Sequence, residues 1–343
     1  MSVSKDKVIE YSDGRKYVGE LFDGKPDGKG NLYFPDGSIY KGCFMCGQMH
    51  GLGEFVFPNK VKRVGYWVMG TPKFTSLEFP NGDHYEGNLK GYNRNGYGIY
   101  KYNNGDIYRG TWIDGKKFGY GKMNYSSGNG YLGNFSDNQK NGYGVEITPE
   151  GTYIGNYIND ERNGFGVTFD RKHRLSKIGY WESGSYKNDD NLFKQKYSNG
   201  DMYVGQLENN QRNGTGFYFL KNGDFTVGSW KDGKLSGQGI VGQKGVTCIG
   251  TYKDGLLNGI CMIDSLETGL FIGEYKEGYR LGYGVMDYNS GDRYEGEWNG
   301  KLYHGKGIYY GADGEIDEGY YENSIMKETY LMCYKNSAVR FKK

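Results

Sequence analysis

Fourteen glycines divide this chain into near-equal steps. They stand at positions 19, 42, 65, 87, 110, 133, 155, 179, 205, 228, 250, 273, 296 and 319, mostly 23 residues apart. A fixed period of this length means tandem supersecondary units, each too small to bury its own apolar face. The position two residues after each glycine is the sharper signal. It reads Leu21, Phe44, Trp67, Leu89, Trp112, Phe135, Tyr157, Trp181, Leu207, Trp230, Tyr252, Tyr275, Trp298 and Tyr321, so all five tryptophans of the chain lie there. Two residues before the glycine stand Tyr17, Tyr40, Tyr85, Tyr108, Tyr131, Tyr153, Tyr203, Phe271 and Tyr294. That aromatic is lost at Arg63, Lys177, Thr226, Cys248 and Asp317.

The period inside each unit is two, which is the period of a strand. Tyr294, Gly296 and Trp298 share one face; Arg293, Glu295 and Glu297 share the other. About nine residues on comes a Gly-x-Gly, as at Gly28/Gly30 or Gly142/Gly144, followed by alternating apolar residues. Asp-Gly pairs (Asp23-Gly24, Asp114-Gly115, Asp232-Gly233, Asp254-Gly255) and Asn-Gly pairs (Asn81-Gly82, Asn104-Gly105, Asn199-Gly200, Asn222-Gly223) separate the strands. Both supply the positive φ of tight hairpin turns. Each unit therefore reads strand, turn, strand, turn. Glycine weakens a strand unless something needs the room. Here the expectation is steric: an aromatic ring lies over a neighbouring glycine where a Cβ would block it, and rings stack from strand to strand.

The expected fold is all-β, a single elongated, twisted antiparallel sheet of about fourteen hairpin repeats, with roughly 28 strands spaced about 4.8 Å apart. Residues 1–9 form a polar lead, 10–327 the array, and 328–343 a capping segment (Glu328 to Tyr334) with a basic tail. Two units are irregular. The unit at 65–86 has Pro72-Lys73-Phe74 in place of Gly-x-Gly; the unit at 179–204 is long and has Asp189-Asp190-Asn191 there. A bend or wider loop is expected at both.

This pattern resembles the MORN repeat family, most closely at Tyr85 to Gly105, Tyr108 to Gly128 and Tyr294 to Gly314. Proteins built mostly from such repeats are similar to radial-spoke and other ciliary components and to scaffolds of the protist cytoskeleton. The resemblance implies a non-enzymatic scaffold binding protein partners in an axonemal or other cytoskeletal assembly. Its alternatives are a phospholipid-associated scaffold or a regulatory subunit of a separate enzyme.

The residues point the same way. An aromatic groove is expected along the array, lined by Tyr17, Tyr40, Phe44, Trp67, Tyr85, Tyr108, Trp112, Tyr131, Phe135, Tyr153, Trp181, Tyr203, Trp230, Tyr252, Tyr275, Tyr294 and Trp298. A helix or an extended peptide is its natural occupant, and the open sheet ends offer edges for self-association. Aromatics are 17% of residues, and 43 basic residues are interspersed with 41 acidic ones. That is a mixed surface rather than a nucleic-acid footprint. Membrane contact finds no basic patch, amphipathic helix or lipidation signal to support it. Five cysteines, an odd number, and a polar N-terminus suggest a reduced, cytoplasmic protein. Gly-x-Gly never extends to a phosphate-loop pattern. Cys43, Cys46 and His50 are one ligand short of a structural zinc site. No catalytic constellation or cofactor is expected.

Overall fold

In the computed structural model, residues 4–187, 192–334 and 337–340 are described. They form thirty-one strands and no helix. The chain divides into two compact units, residues 1–108 and 109–343. The strand Ile107–Ile113 lies at the division.

In the first unit each strand pairs antiparallel with the next, from Ser4–Glu10 to Asn93–Lys101. Most of the expected polar lead is therefore a strand, pairing from Glu10↔Lys16 to Ser4↔Leu21. A bend or wider loop was expected near Pro72. Thr71–Glu78 pairs fully with the strand before it but by only three residue pairs with the one after, Ser76 to Glu78 against Glu86 to His84.

The second unit holds two antiparallel sheets rather than part of one continuous ribbon. The first ends at Ser185–Lys187, and a fourteen-stranded sheet runs from Phe193–Lys196 to Ser337–Arg340. Asp189, Asp190 and Asn191, where the second irregularity was expected, lie outside the described residues. The second sheet packs back over the first in reversed chain order. Arg109 meets Asp287 at 3.2 Å, Lys122 meets Asp264 at 2.8 Å, and the Tyr180 hydroxyl meets Thr215 Oγ1 at 2.7 Å. Phe169 packs on Phe217 between them. The cause is a second apolar face. The residue just before the repeat glycine is apolar in seven consecutive units: Leu132, Ile154, Ile178, Val204, Val227, Ile249 and Ile272. All but Ile178 are buried.

The expected cap, Glu328 to Tyr334, is strand: Ile325–Tyr334 pairs with Ile316–Glu322. Of the basic tail, Lys335, Lys342 and Lys343 lie outside the described residues.

The two turn types differ. At one end of most hairpins both central residues are left-handed, as at Asp23 (φ 48°) and Gly24 (φ 74°), the conformation of a tight two-residue turn. At the other end most turns have a single left-handed residue, a glycine in most and Lys60 (φ 68°) or His173 (φ 58°) in two. The Phe34 amide donates to the Ser38 carbonyl, Gly37 donates back to the Phe34 carbonyl, and Gly37 has φ 87°. The Asn-Gly pairs belong to this second, wider turn.

Candidate protein-binding surface

The aromatic ladder is built by one arrangement, seen clearly in the first repeat. Tyr17 pairs with Leu32 and Gly19 with Gly30, and then the ladder bulges: Glu20 alone faces Asp27, Gly28 and Lys29 before Leu21 meets Pro26. Gly28 takes φ 94° in this bulge, which favours glycine. At the interruption the Tyr17 hydroxyl donates to the Glu20 carbonyl at 2.7 Å. The ring lies across Gly30, where an added Cβ would sit 2.4 Å from it. The two glycines of Gly-x-Gly therefore do different work. The first makes the bulge and the second makes room for the ring.

The same bond to the third residue on recurs from Tyr40, Tyr85, Tyr131, Tyr153, Tyr203 and Tyr294, at 2.8–3.2 Å. Burial raises the hydroxyl pKa of Tyr17, Tyr40, Tyr131, Tyr153, Tyr203 and Tyr294; Tyr17 is pushed up to about 12. Neighbouring rings meet edge-to-face more often than stacked: Tyr17 on Phe44 (4.9 Å, 77°), Tyr40 on Trp67 (5.1 Å, 71°), Tyr153 on Trp181 (5.1 Å, 77°). This sets ring edges against ring faces, as the aromatic quadrupole prefers. Tyr294 and Tyr303 are a stacked exception, at 3.7 Å and 8°. Indole nitrogens join the network, Trp230 donating to the Gly216 carbonyl and Trp298 to Gly284, each at 3.1 Å.

Of the seventeen side chains expected to line a groove, sixteen are buried. Tyr275 is half-buried, its hydroxyl 3.1 Å from the Arg280 Nε that donates to it. The ladder is filled by its own rings, so the apolar surface open to solvent lies elsewhere. Sequence reasoning did not separate these residues out. They include Phe22, Met45, Ile113 and Ile158 on strands leading into the tight turns, and Leu256, Tyr279, Leu302 and Ile325 on strands leaving them. The signal was available in the sequence, as apolar residues flanking an Asp-Gly type turn.

Sequence reasoning also missed a charged island in the ladder. Glu146 occupies the position that Leu32 fills in the first repeat, opposite the ladder tyrosine. Its carboxylate pairs with Lys140 and, at 2.9 Å, with Arg162, and accepts from the Tyr157 hydroxyl at 3.1 Å. Burial pushes this carboxyl up, but hydrogen bonds from Lys140 and Arg162 outweigh that and hold it below its ordinary value.

An open depression of about 680 Å³ is lined by Phe193, Tyr197, Leu207, Arg212 and Tyr218. Its guanidinium is already engaged: Arg212 lies over Tyr218 and Trp230 and donates to the Gly233 carbonyl at 2.9 Å. Cys43 is half-buried and Cys46 exposed, with Cys46 in a tight turn at φ 49°. His50 Nδ1 accepts from the Met69 amide at 3.4 Å. No group of three or more His, Cys, Asp or Glu is placed to hold a metal among the described residues. Nor is any helix of the described residues long and apolar enough to cross a membrane.

A ladder of bulged hairpins sealed by ring-over-glycine contacts defines an all-β hairpin-repeat protein. The MORN repeat model matches residues 17–39, 40–61, 85–107, 108–130, 131–152, 153–169, 203–225, 227–241, 271–293 and 294–316, more than half of the chain. The chain belongs to the MORN repeat family. The four unmatched units are those with Arg63, Lys177, Cys248 and Asp317 at the aromatic position, yet each forms its hairpin. Alsin from Mus musculus and from Homo sapiens is 30% identical over 175 residues, 46% of this chain and 10% of alsin. The chain thus spans about a tenth of the length of these curated relatives. Among solved structures, the TCP domain of Drosophila melanogaster SAS-4, in complex with a proline-rich motif of Ana2, aligns with a TM-score of 0.30. That match has 13% identity and covers 51% of this chain and 90% of that one. The G-box domain of CPAP aligns with a TM-score of 0.22 and 8% identity, covering 70% of this chain and 99% of that one. Scores this low establish no common fold.

Proposed function

We propose that the protein is a non-enzymatic scaffold that binds other proteins along its hairpin array. The observation that carries this reading is the division of apolar surface. The large rings are spent holding repeats together, while apolar side chains stay exposed at repeated positions beside the turns. Exposed, regularly spaced apolar positions on a repeat framework suit contact with another chain rather than enclosure of a small molecule. The finer part of the proposal is residence in a ciliary axoneme or another cytoskeletal assembly, and it rests on the family resemblance. Affinity capture of the full chain from native extract, with localisation of a tagged copy, tests both parts. Recovery of stoichiometric protein partners supports the scaffold. Recovery of none, or a diffuse distribution unchanged by detergent extraction, overturns the respective part.

A further inference from the structure

The first residue of the strand that leaves each tight turn is polar in ten repeats and apolar in the next four. It is Lys25, Gln48, Thr71 and Asn93 in the first repeats, and stays polar through Lys234. It then becomes Leu256, Tyr279, Leu302 and Ile325. All four occupy the same register, each paired across the turn with Lys253, Lys276, Asn299 or Glu322. All four are exposed, by 50%, 72%, 43% and 60%. Nothing in the hairpin demands apolar character there, because ten repeats form the same turn without it. The four lie on alternate strands of one sheet, so successive members are about 9.6 Å apart and the stripe is about 29 Å long.

We propose that this stripe docks an amphipathic α-helix of a partner protein carrying apolar residues at seven-residue intervals. The proposal rests on the scaffold reading above and names the surface and the partner's chemistry. Seven helical residues advance about 10.5 Å, within about 1 Å of the repeat step, so four apolar residues on one face meet four knobs. A strand repeats its faces at about 6.6 Å and falls out of register after one contact. A polyproline helix repeats at about 9.3 Å, but such ligands seat in aromatic slots, and only Tyr279 of the four is aromatic. A second copy of this chain is disfavoured by area. The stripe exposes on the order of 400 Å² of apolar surface, about half of the roughly 800 Å² per partner in a stable interface. A single helix needs no more.

The test uses the full chain and a labelled helical peptide with leucine at every seventh position in a background of alanine, glutamate and lysine. A peptide of the same composition with its leucines scrambled is the control, and fluorescence anisotropy is the readout. The variant carries Leu256→Lys, Tyr279→Gln, Leu302→Lys and Ile325→Gln, which places there residue types that other repeats carry at the same position. Unchanged circular dichroism confirms its fold. The heptad peptide is expected to bind the native chain at least about tenfold more tightly than the scrambled peptide, and the variant is expected to lose that preference. Absence of binding, equal affinity for both peptides, or equal affinity of the variant overturns the proposal. So does tighter binding of a proline-rich peptide, or a native dimer in sedimentation that the variant lacks. Native partners that the variant still captures would remove the stripe and leave the scaffold standing.

Discussion

Gly144→Ala should be among the costliest single-methyl additions in the chain. The residue is in an extended strand paired with Gly133, so its backbone accepts alanine. The side chain above it is the obstacle. A Cβ there would stand 2.4 Å from the Tyr131 hydroxyl and 2.6 Å from two ring atoms, where ordinary contact begins at 3.4 Å. The ring must retreat by about 1 Å from a site where it is 1% exposed and packed edge-to-face on Phe135 and Tyr157 at 5.1 and 5.3 Å. Such overpacking costs about 1–3 kcal/mol. Losing the 3.0 Å bond from Tyr131 to the Asn134 carbonyl adds about 1 kcal/mol. The expected loss is about 3 kcal/mol, read as the free energy of local opening by hydrogen exchange across Gly130–Ser136 and Gln139–Thr148. Tyr131→Ala alone should cost about 3–5 kcal/mol. The double variant should cost little more than Tyr131→Ala, because the new methyl enters vacated space. That is a coupling of about 2 kcal/mol or more. Gly128→Ala is the control: its φ of 87° is strained, yet nothing lies within 4 Å, so about 1 kcal/mol is expected whether or not Tyr131 is present. Additive costs at Gly144 and Tyr131, or a Gly144→Ala loss no larger than the control, would refute the ring-over-glycine account.

The tyrosines make a second prediction, at high pH. Burial pushes Tyr17, Tyr120 and Tyr143 up from 10.0 to about 12. A folded value above the unfolded one stabilises the protein below pH 10, and that stability is lost as pH rises toward 12. Tyrosinate absorbance should therefore appear late and cooperatively with loss of β-sheet circular dichroism; a gradual rise centred at pH 10 in folded protein would contradict this. At low pH the island at Glu146 behaves oppositely. Its lowered carboxyl stabilises the fold above the ordinary value of 4.5, and that contribution fades as pH falls through the folded value. Glu146→Gln should flatten acid destabilisation of the neighbouring hairpins and cost stability at neutral pH, both followed by hydrogen exchange. Between the two sheets of the second unit, Asp264→Asn removes an ion pair in which Lys122 Nζ donates to both carboxylate oxygens at 2.8 Å. A loss of about 1 kcal/mol is expected, absent in a Lys122→Met background.

The hairpins were legible because strand period, turn chemistry and repeat step all agree at residues such as Tyr294, Gly296 and Trp298. The ring-over-glycine contact was legible too, since glycine in register with an aromatic needs a steric reason. The second sheet was not anticipated. Its signal, the run from Leu132 to Ile272 just before each repeat glycine, sits on the face that was read as polar from units such as Arg293 to Glu297. Inspection of one unit shows one apolar face; only comparison across units shows that the middle repeats have two. Exposure of the ladder was overestimated for a related reason. Periodicity says which residues share a face but not whether their rings fill it. Tyr17 and its equivalents reach over the neighbouring strand and close that face themselves.

The divergent repeats show what the framework can give up. Where the ladder aromatic is lost, the glycine beneath it tends to be lost as well. Arg63 is accompanied by Thr75 opposite Gly65, Cys248 by Cys261 opposite Gly250, and Asp317 by Thr329 opposite Gly319. Arg63 even fills the vacancy by donating from Nε to Thr75 Oγ1 at 2.9 Å. Thr226 is the informative exception. Its unit keeps Gly239, and there Leu235 takes the place of the ring, 3.1 Å from where a Cβ would stand. Gly259, the bulge glycine, survives beside Cys261 because its need is a φ of 93° rather than space for a ring. Ring and ring-bearing glycine therefore act as one interlocking element, while the bulge glycine answers to the backbone alone. Arg63→Tyr should accordingly destabilise its hairpin by itself, and Arg63→Tyr with Thr75→Gly should recover it. A fold whose interior contacts are fixed pair by pair leaves the residues beside its turns free to differ from repeat to repeat. The change from Lys234 to Leu256 occurs at such a position, which is where a scaffold of identical hairpins can carry distinct binding information.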